Sequence, residues 1–188
     1  DARLTPQANA QKYYKKYTKL KKTAASAAAR LTEQIEWTDY TETVLENLRQ
    51  CETQEELEEI AEEMRASSII KEAAKPKKPK SASAVRFRIY NIDGFTVRAG
   101  RNNIQNDTLL RSSRPDDIWL HTKDIHGSHV VISAEGKEVP PSVLTAAAEI
   151  AAYYSKAHMS QNVPVDYTFV RNVKKPPKAP PGAVTYAG

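Results

Sequence analysis

The chain has 188 residues, 40% hydrophobic and 27% charged, with a formal net charge of +5. That length suits one domain plus an extended element. No stretch reaches the roughly 18 apolar residues a membrane span needs, and no signal-peptide core is present. Cys51 stands alone, which excludes an intrachain disulfide and fits a reducing compartment. The first residue is Asp1 rather than Met, so a piece of a longer protein is expected.

Charge is laid down in blocks. Residues 1–30 carry eight basic and one acidic side chain, residues 31–70 two basic and twelve acidic, and residues 75–188 seventeen basic and nine acidic. Such blocks describe separate surfaces, two of which favour a polyanion; the plainer alternative is solvated surface charge.

Thr5-Pro6 is a helix start, a hydroxyl N-cap followed by a Pro whose missing N–H costs nothing there. Apolar or small residues then recur at Tyr13, Tyr17, Leu20, Ala24, Ala27 and Leu31. This is a heptad seam that lays a narrow stripe against a partner helix. The register continues through the polar Gln34, Thr38 and Thr41 to Leu45 and Leu48, and neither Gly nor Pro interrupts residues 7–50. A helical arm of about 65 Å is expected. Thr53 and Glu56 match a capping box, opening a second helix with Leu57, Ile60, Ala61 and Met64 on one face. Folded back, that helix of about 15 residues covers some 22 Å of the first. The N-terminal half of the seam then either self-associates or takes an upstream helix. Lys12, Lys15, Lys16, Lys19 and Lys22 share one side of the arm, interleaved with Tyr13, Tyr14 and Tyr17. They are candidate ribosome contacts through phosphate and base, or else the solvated flank of a coiled coil.

Residues 71–83, rich in Lys, Pro, Ser and Ala, read as an extended linker, since Pro76 and Pro79 bar a helix. In the strand that follows, period-two alternation sets Val85, Phe87 and Ile89 on one face and Arg86, Arg88 and Tyr90 on the other. Asp93-Gly94 is a hairpin turn pair, and residues 95–98 return as the second strand. Arg86, Arg88 and Arg98 are expected to share or flank a solvent face. Gly100 breaks the strand, and the Asn-rich stretch after it opens a short helix. Residues 116–122 and 128–133 read as strands, Pro140-Pro141-Ser142 as a helix start, and residues 165–170 and 183–186 as two more strands. Strands and helices without strict alternation make an α+β fold.

His121, His126 and His129 invite a metal reading, but no Cys or fourth ligand lies at a suitable spacing, and no metal or cofactor is expected. Ser128 lacks the Gly-x-Ser-x-Gly elbow of a hydrolase. A structural turn around Gly127 and RNA contact remain; Trp119 and neutral imidazoles suit stacking on unpaired bases, which favours contact.

Several pieces stand in a fixed order: Asp93-Gly94-Phe95, Gly100-Arg101-Asn102-Asn103, Gln105-Asn106-Asp107, Asp117-Ile118-Trp119-Leu120-His121, Gly127-Ser128-His129-Val130, Val165-Asp166-Tyr167-Thr168, and Val173-Lys174-Lys175-Pro176 running to Pro181-Gly182. Each is weak alone. Together they resemble the RNA-binding NFACT-R domain of the NFACT family across residues 84–188. Upstream, Thr5-Pro6, Asn9-Ala10-Gln11 and Tyr14-Lys15-Lys16-Tyr17 look like that family's returning coiled-coil segment. The resemblance implies a ribosome-associated quality control factor that binds stalled large ribosomal subunits, rRNA and tRNA. It further implies support for C-terminal alanine tailing of nascent chains. The family's N-terminal domain and helix-hairpin-helix segment are not in this sequence, so a nonenzymatic RNA- and ribosome-binding module is expected of this chain.

On that reading, Arg86, Arg88, Arg98, Arg101, Lys123, Arg171, Lys174, Lys175 and Lys178 supply phosphate contacts. Asn102, Asn103, Gln105, Trp119 and His126 supply sugar or base contacts. The location is cytoplasmic. The alternative is a surface adhesin that binds host fibronectin, motivated by the acidic residues 52–63 beside two basic surfaces and by relatives described as adhesins without a signal peptide.

Overall fold

The computed structural model describes residues 1–71 and 86–187. The expected linker, apart from Lys71, and the expected strand residue Val85 lie outside them. The chain forms two compact units, Asp1–Thr38 and Asp39–Gly188.

The first unit is the N-terminal part of helix α1 (Pro6–Arg49). Thr5 caps it, accepting from the Ala8 N–H at 3.2 Å. The seam residues Tyr13, Tyr17, Leu20 and Leu31 are all exposed. Lone Thr side chains bond back one turn, Thr18 to the Tyr14 carbonyl and Thr32 to that of Ala28.

In the second unit the end of α1 meets α2 (Gln54–Ala66) around Tyr40, Val44 and Ile60, with Leu48, Cys51, Met64 and Ile69 packed against them. Thr53 caps α2 by accepting from the Glu56 N–H at 3.2 Å. The Glu56 carboxylate reaches back to the Glu52 N–H at 3.0 Å, one residue beyond the position an ideal capping box would use.

A five-stranded antiparallel sheet follows: β1 (Arg88–Ile92), β2 (Phe95–Ala99), β3 (Ile118–Thr122), β4 (Val130–Ser133) and β5 (Val165–Phe169), in the order β1-β2-β4-β3-β5. Helix α3 (Asn103–Ser112) lies between β2 and β3 in the chain, and α4 (Pro141–Tyr153) between β4 and β5. After β5 come a short 3-10 turn (Val170–Asn172) and a two-stranded ribbon of β6 (Val173–Lys174) with β7 (Thr185–Tyr186). The fold is α+β, built from a long helix and a small antiparallel sheet with helices.

Both sheet faces are covered over the inner strands β2, β4 and β3. On one, Val97, Ala99, Leu120, Val130 and Ile132 pack on Val143, Ala147 and Ala151 of α4, whose small residues allow the helix a close approach. On the other, Trp119 and Val131 pack with Leu109 of α3, flanked by Phe87, Leu110, Val170, Val173 and Val184.

That double cover changes the reading of β1. Asp93 (φ 49°) and Gly94 (φ 79°) make a turn with two left-handed residues, the form that follows the twist of a hairpin. It sets the register Arg88↔Ala99 and Ile89↔Arg98. The alternation holds, with Arg88, Tyr90 and Ile92 on one face and Ile89 on the other, but the Arg88–Tyr90 face is the one turned to α4, while Ile89 is 66% exposed. Arg88 and Arg98 consequently lie on opposite faces, so the shared arginine face does not form.

Gly100 donates its N–H to the His129 carbonyl at 3.1 Å. A Cβ there would stand 2.1 Å from Asn106 Oδ1, the atom that accepts from the His129 N–H at 3.2 Å. Gly100→Ala is expected to cost about 1–3 kcal/mol, readable as a lowered midpoint in urea unfolding.

Candidate nucleic-acid interface

The polar stretch after β2 is buried, and it faces α2. Asn102 caps α3, accepting from the Gln105 N–H at 2.8 Å. Asn103 donates its backbone N–H to Glu63 Oε2 at 3.0 Å and its Nδ2 to Glu63 Oε1 at 2.9 Å. Tyr40 donates its hydroxyl to the same Oε1 at 2.9 Å. Gln105 donates to Glu59 Oε2 at 2.7 Å and accepts from the Arg101 N–H at 3.1 Å. Burial raises both Glu63 and Glu59 above the usual carboxylate range, against the lowering by these donors. Asn102, Asn103 and Gln105 thus have no exposed edge to offer a base; Asn102 caps α3, while Asn103 and Gln105 lock α3 to α2.

The arginines of the same region are also taken. Arg86 pairs with Glu55 at 3.0 Å in an exposed bridge. Arg88 pairs with Glu56 at 2.9 Å, donates to the Gly100 carbonyl, and lies 4.2 Å over the Tyr154 ring. Arg101 comes within 3.6 Å of Glu56. Arg98, on the other face, donates to Ser113 Oγ at 3.2 Å and is 3.9 Å from Asp117. The acidic helix is thus the internal counter-charge of the basic domain. Glu52, Glu55, Glu58 and Glu62 of the same acidic stretch remain exposed.

Trp119 is 0% exposed. Its ring stacks on His121 (5.8 Å between centroids, 3° between planes), meets His129 edge-on and leans on Tyr186 at 4.8 Å. Burial holds His129 well below the usual imidazole range and lowers His121 too, so both rings stay neutral in the stack. Asp166 accepts from the Tyr186 hydroxyl at 2.7 Å, pushing that phenol up to about 12. The expected stacking tryptophan is therefore core, closed over by the β6–β7 ribbon. His126 is held from α1, with Nε2 3.2 Å from Glu42 Oε2 and Nδ1 3.2 Å from Thr43 Oγ1. Among the described residues no group of three or more His, Cys, Asp or Glu is placed to hold a metal ion.

What the fold does bring together lies where β5 ends. Asp107, Leu110 and Arg111 of α3, with Val170, Val173 and Lys175, line a groove of about 400 Å³. Its floor is apolar. Lys175 pairs with Asp107, which also accepts from the Gly182 N–H at 3.0 Å and so anchors the Pro-rich return. Arg171 and Lys174 interleave with the groove residues Val170 and Val173 and are exposed. The Arg171 N–H donates to the Pro115 carbonyl at 3.1 Å, placing it beside the exposed Arg114. Lys178 is exposed in the same return, whereas Lys123 sits at the far end of β5, next to the Thr122↔Val165 pair. Arg111 and Arg114 carried no signal in the sequence beyond their charge; only the docking of α3 beside residues 170–175 groups them.

In the first unit, Tyr14, Lys15, Thr18, Lys19, Lys22 and Thr23 line an open groove of about 460 Å³. Lys16 is exposed on the same helix, and Lys12 is 3.5 Å from Asp1.

This arrangement is a helical hairpin latched to an antiparallel α+β domain that carries a cationic, apolar-floored groove. Residues 84–188 match the family model described as NFACT protein RNA binding domain, and residues 1–83 that of the NFACT N-terminal and middle domains. The chain belongs to the NFACT family. It is 41% identical over 185 residues to the Rqc2 homolog RqcH of Bacillus subtilis, covering 97% of this chain and 32% of that protein. It is 40% identical over 190 residues to the Rqc2 homolog RqcH of Streptococcus pneumoniae, covering 100% and 34%. The chain spans about a third of the length of these relatives. A solved structure of the C-terminal part of the fibronectin/fibrinogen-binding protein from Streptococcus suis superposes with a TM-score of 0.88 at 37% identity, covering 99% of this chain and 74% of that one.

Proposed function

We propose that this chain is the RNA-binding part of a ribosome-associated quality control factor. In this reading it grips tRNA or the rRNA of a stalled large ribosomal subunit, and the whole protein supports C-terminal alanine tailing. The observation that carries the reading is the set of exposed cations near the end of β5, Arg111 and Lys175 lining the groove with Arg114, Arg171 and Lys174 on the adjoining segments, apart from the arginines that α2 neutralises. Lys178 extends the cationic surface, Lys123 offers a separate cation at the other end of β5, and Lys15, Lys16, Lys19 and Lys22 offer a second phosphate track on α1. The chain itself acts by binding and carries out no chemical step.

Four phosphate contacts would lower affinity about 50- to 150-fold between 50 and 200 mM salt, through release of condensed counterions. Filter binding to tRNA and cosedimentation with large ribosomal subunits measure this. Arg111→Glu combined with Lys174→Glu is expected to weaken binding at least tenfold, while Arg86→Glu, whose partner is Glu55, changes it little. Affinity indifferent to salt from 50 to 300 mM would sink the reading.

The likeness to a fibronectin/fibrinogen-binding protein keeps a second reading, capture of host fibronectin at a cell surface. Immobilised fibronectin tested beside tRNA separates the two, and no retention at physiological salt removes the second.

A further inference from the structure

Strand β5 is an edge: among the described residues it pairs with β3 alone. The register Leu120↔Tyr167 and Ile118↔Phe169 sets two aromatic side chains on one face, about 6.6 Å apart along the strand. Both are open to solvent, Tyr167 at 58% and Phe169 at 41%. The alternate residues are held from the opposite face, Thr168 donating to the Ala187 carbonyl at 3.2 Å and Asp166 accepting from Tyr186. The strand is thus fixed from behind while its two rings face outward. The Arg171 guanidinium lies 4.1 Å over the Phe169 ring, while Val170, between them in the chain, packs on the opposite face beside the groove.

A pair of exposed rings and an arginine plane match unpaired nucleotides. Bases splayed from a single strand present a π-face to each ring while the backbone runs past the Arg171 guanidinium. A paired helix keeps its bases stacked inside and offers these rings nothing. We infer that Tyr167 and Phe169, with Arg171, form a stacking platform for two successive unpaired bases, so the RNA taken by this domain presents a single-stranded loop or end. This rests on the RNA-binding reading above, which supplies the polyanion.

The test uses the whole chain with two probes, a single-stranded RNA oligonucleotide containing 2-aminopurine and a blunt RNA duplex of equal length. The single strand is expected to bind more tightly, with its 2-aminopurine fluorescence quenched. Phe169→Leu, which keeps apolar bulk and removes the π-face, and Tyr167→Ala should each weaken single-strand binding about tenfold and relieve the quench. Duplex affinity and the thermal midpoint should hold. Equal losses on strand and duplex, or no loss while Arg111→Glu with Lys174→Glu still weakens RNA binding, overturns the platform and leaves the RNA reading standing. Wild-type binding to neither probe overturns both. A loss confined to fibronectin capture assigns the edge to a protein strand and overturns the platform.

Discussion

Trp119→Ala is expected to cost about 4 kcal/mol of stability and to lower the thermal midpoint by about 10 °C. The indole is completely enclosed among Leu109, Val131, His121, His129 and Tyr186, side chains held on packed strands and a helix that relax only partly onto the void. Trp119→Phe retains most of the apolar contact and removes an indole N–H that finds no acceptor among the described residues, so it should cost much less. Thermal melts of the two variants measure the difference. Binding then separates core from contact: Trp119→Phe should leave RNA affinity and its salt slope at the wild-type values. A base-stacking Trp119 would instead show a changed fluorescence on RNA addition and a weakened complex in Trp119→Phe.

Glu63→Ala should cost about 3 kcal/mol, because donors from Tyr40, Asn103 and the Ile104 backbone converge on one buried carboxylate. Without it, the Asn103 N–H and Nδ2 are stranded, while Tyr40 retains Ser67 within hydrogen-bond reach. The pH dependence has a definite sign. Burial raises the folded-state value of Glu63, so the folded protein binds this proton more tightly than the unfolded chain. The associated stability is fully present below the ordinary Glu value, about 4.3, and is lost as pH rises through the folded one. Urea unfolding should therefore show a larger difference between wild type and Glu63→Ala at pH 5 than at pH 8. His129, lowered by burial, slopes the other way in both proteins: its contribution is present above about 6.5 and lost as pH falls, so it cancels in the comparison. A difference independent of pH would mean that the carboxylate is not desolvated in solution.

The Glu63 latch belongs to a wider division of charge. Glu55, Glu56, Glu59 and Glu63 recur along one side of α2 and turn toward Arg86, Arg88, Arg101, Gln105 and Asn103. The pairs differ in worth. The exposed Glu55–Arg86 bridge contributes at most about 1 kcal/mol. The enclosed Glu56–Arg88 pair matters chiefly through what its loss would leave, an uncompensated buried charge. Net charge per block therefore overstated the cationic surface, since much of it is spent inside the unit. The cations left for a polyanion lie on the far side of α3, around the end of β5.

Local chemistry was legible in the amino-acid sequence by itself. Thr5-Pro6, Thr53, Asn102 and Pro140-Pro141 start helices because caps and proline act on adjacent backbone, and Asp93-Gly94 makes its hairpin because two left-handed residues suffice. The ordered motifs carried the family. Burial was another matter. The faces of β1, the enclosure of Trp119, the occupation of Asn103 and the grouping of Arg111 with Arg171 each depend on segments tens of residues away: α2 for Asn103, the β6–β7 ribbon for Trp119, residues 170–175 for Arg111. A polar or aromatic side chain reads the same in sequence whether it meets solvent or another element, and only tertiary packing, through desolvation and the pairing it demands, decided which of them remain free to bind.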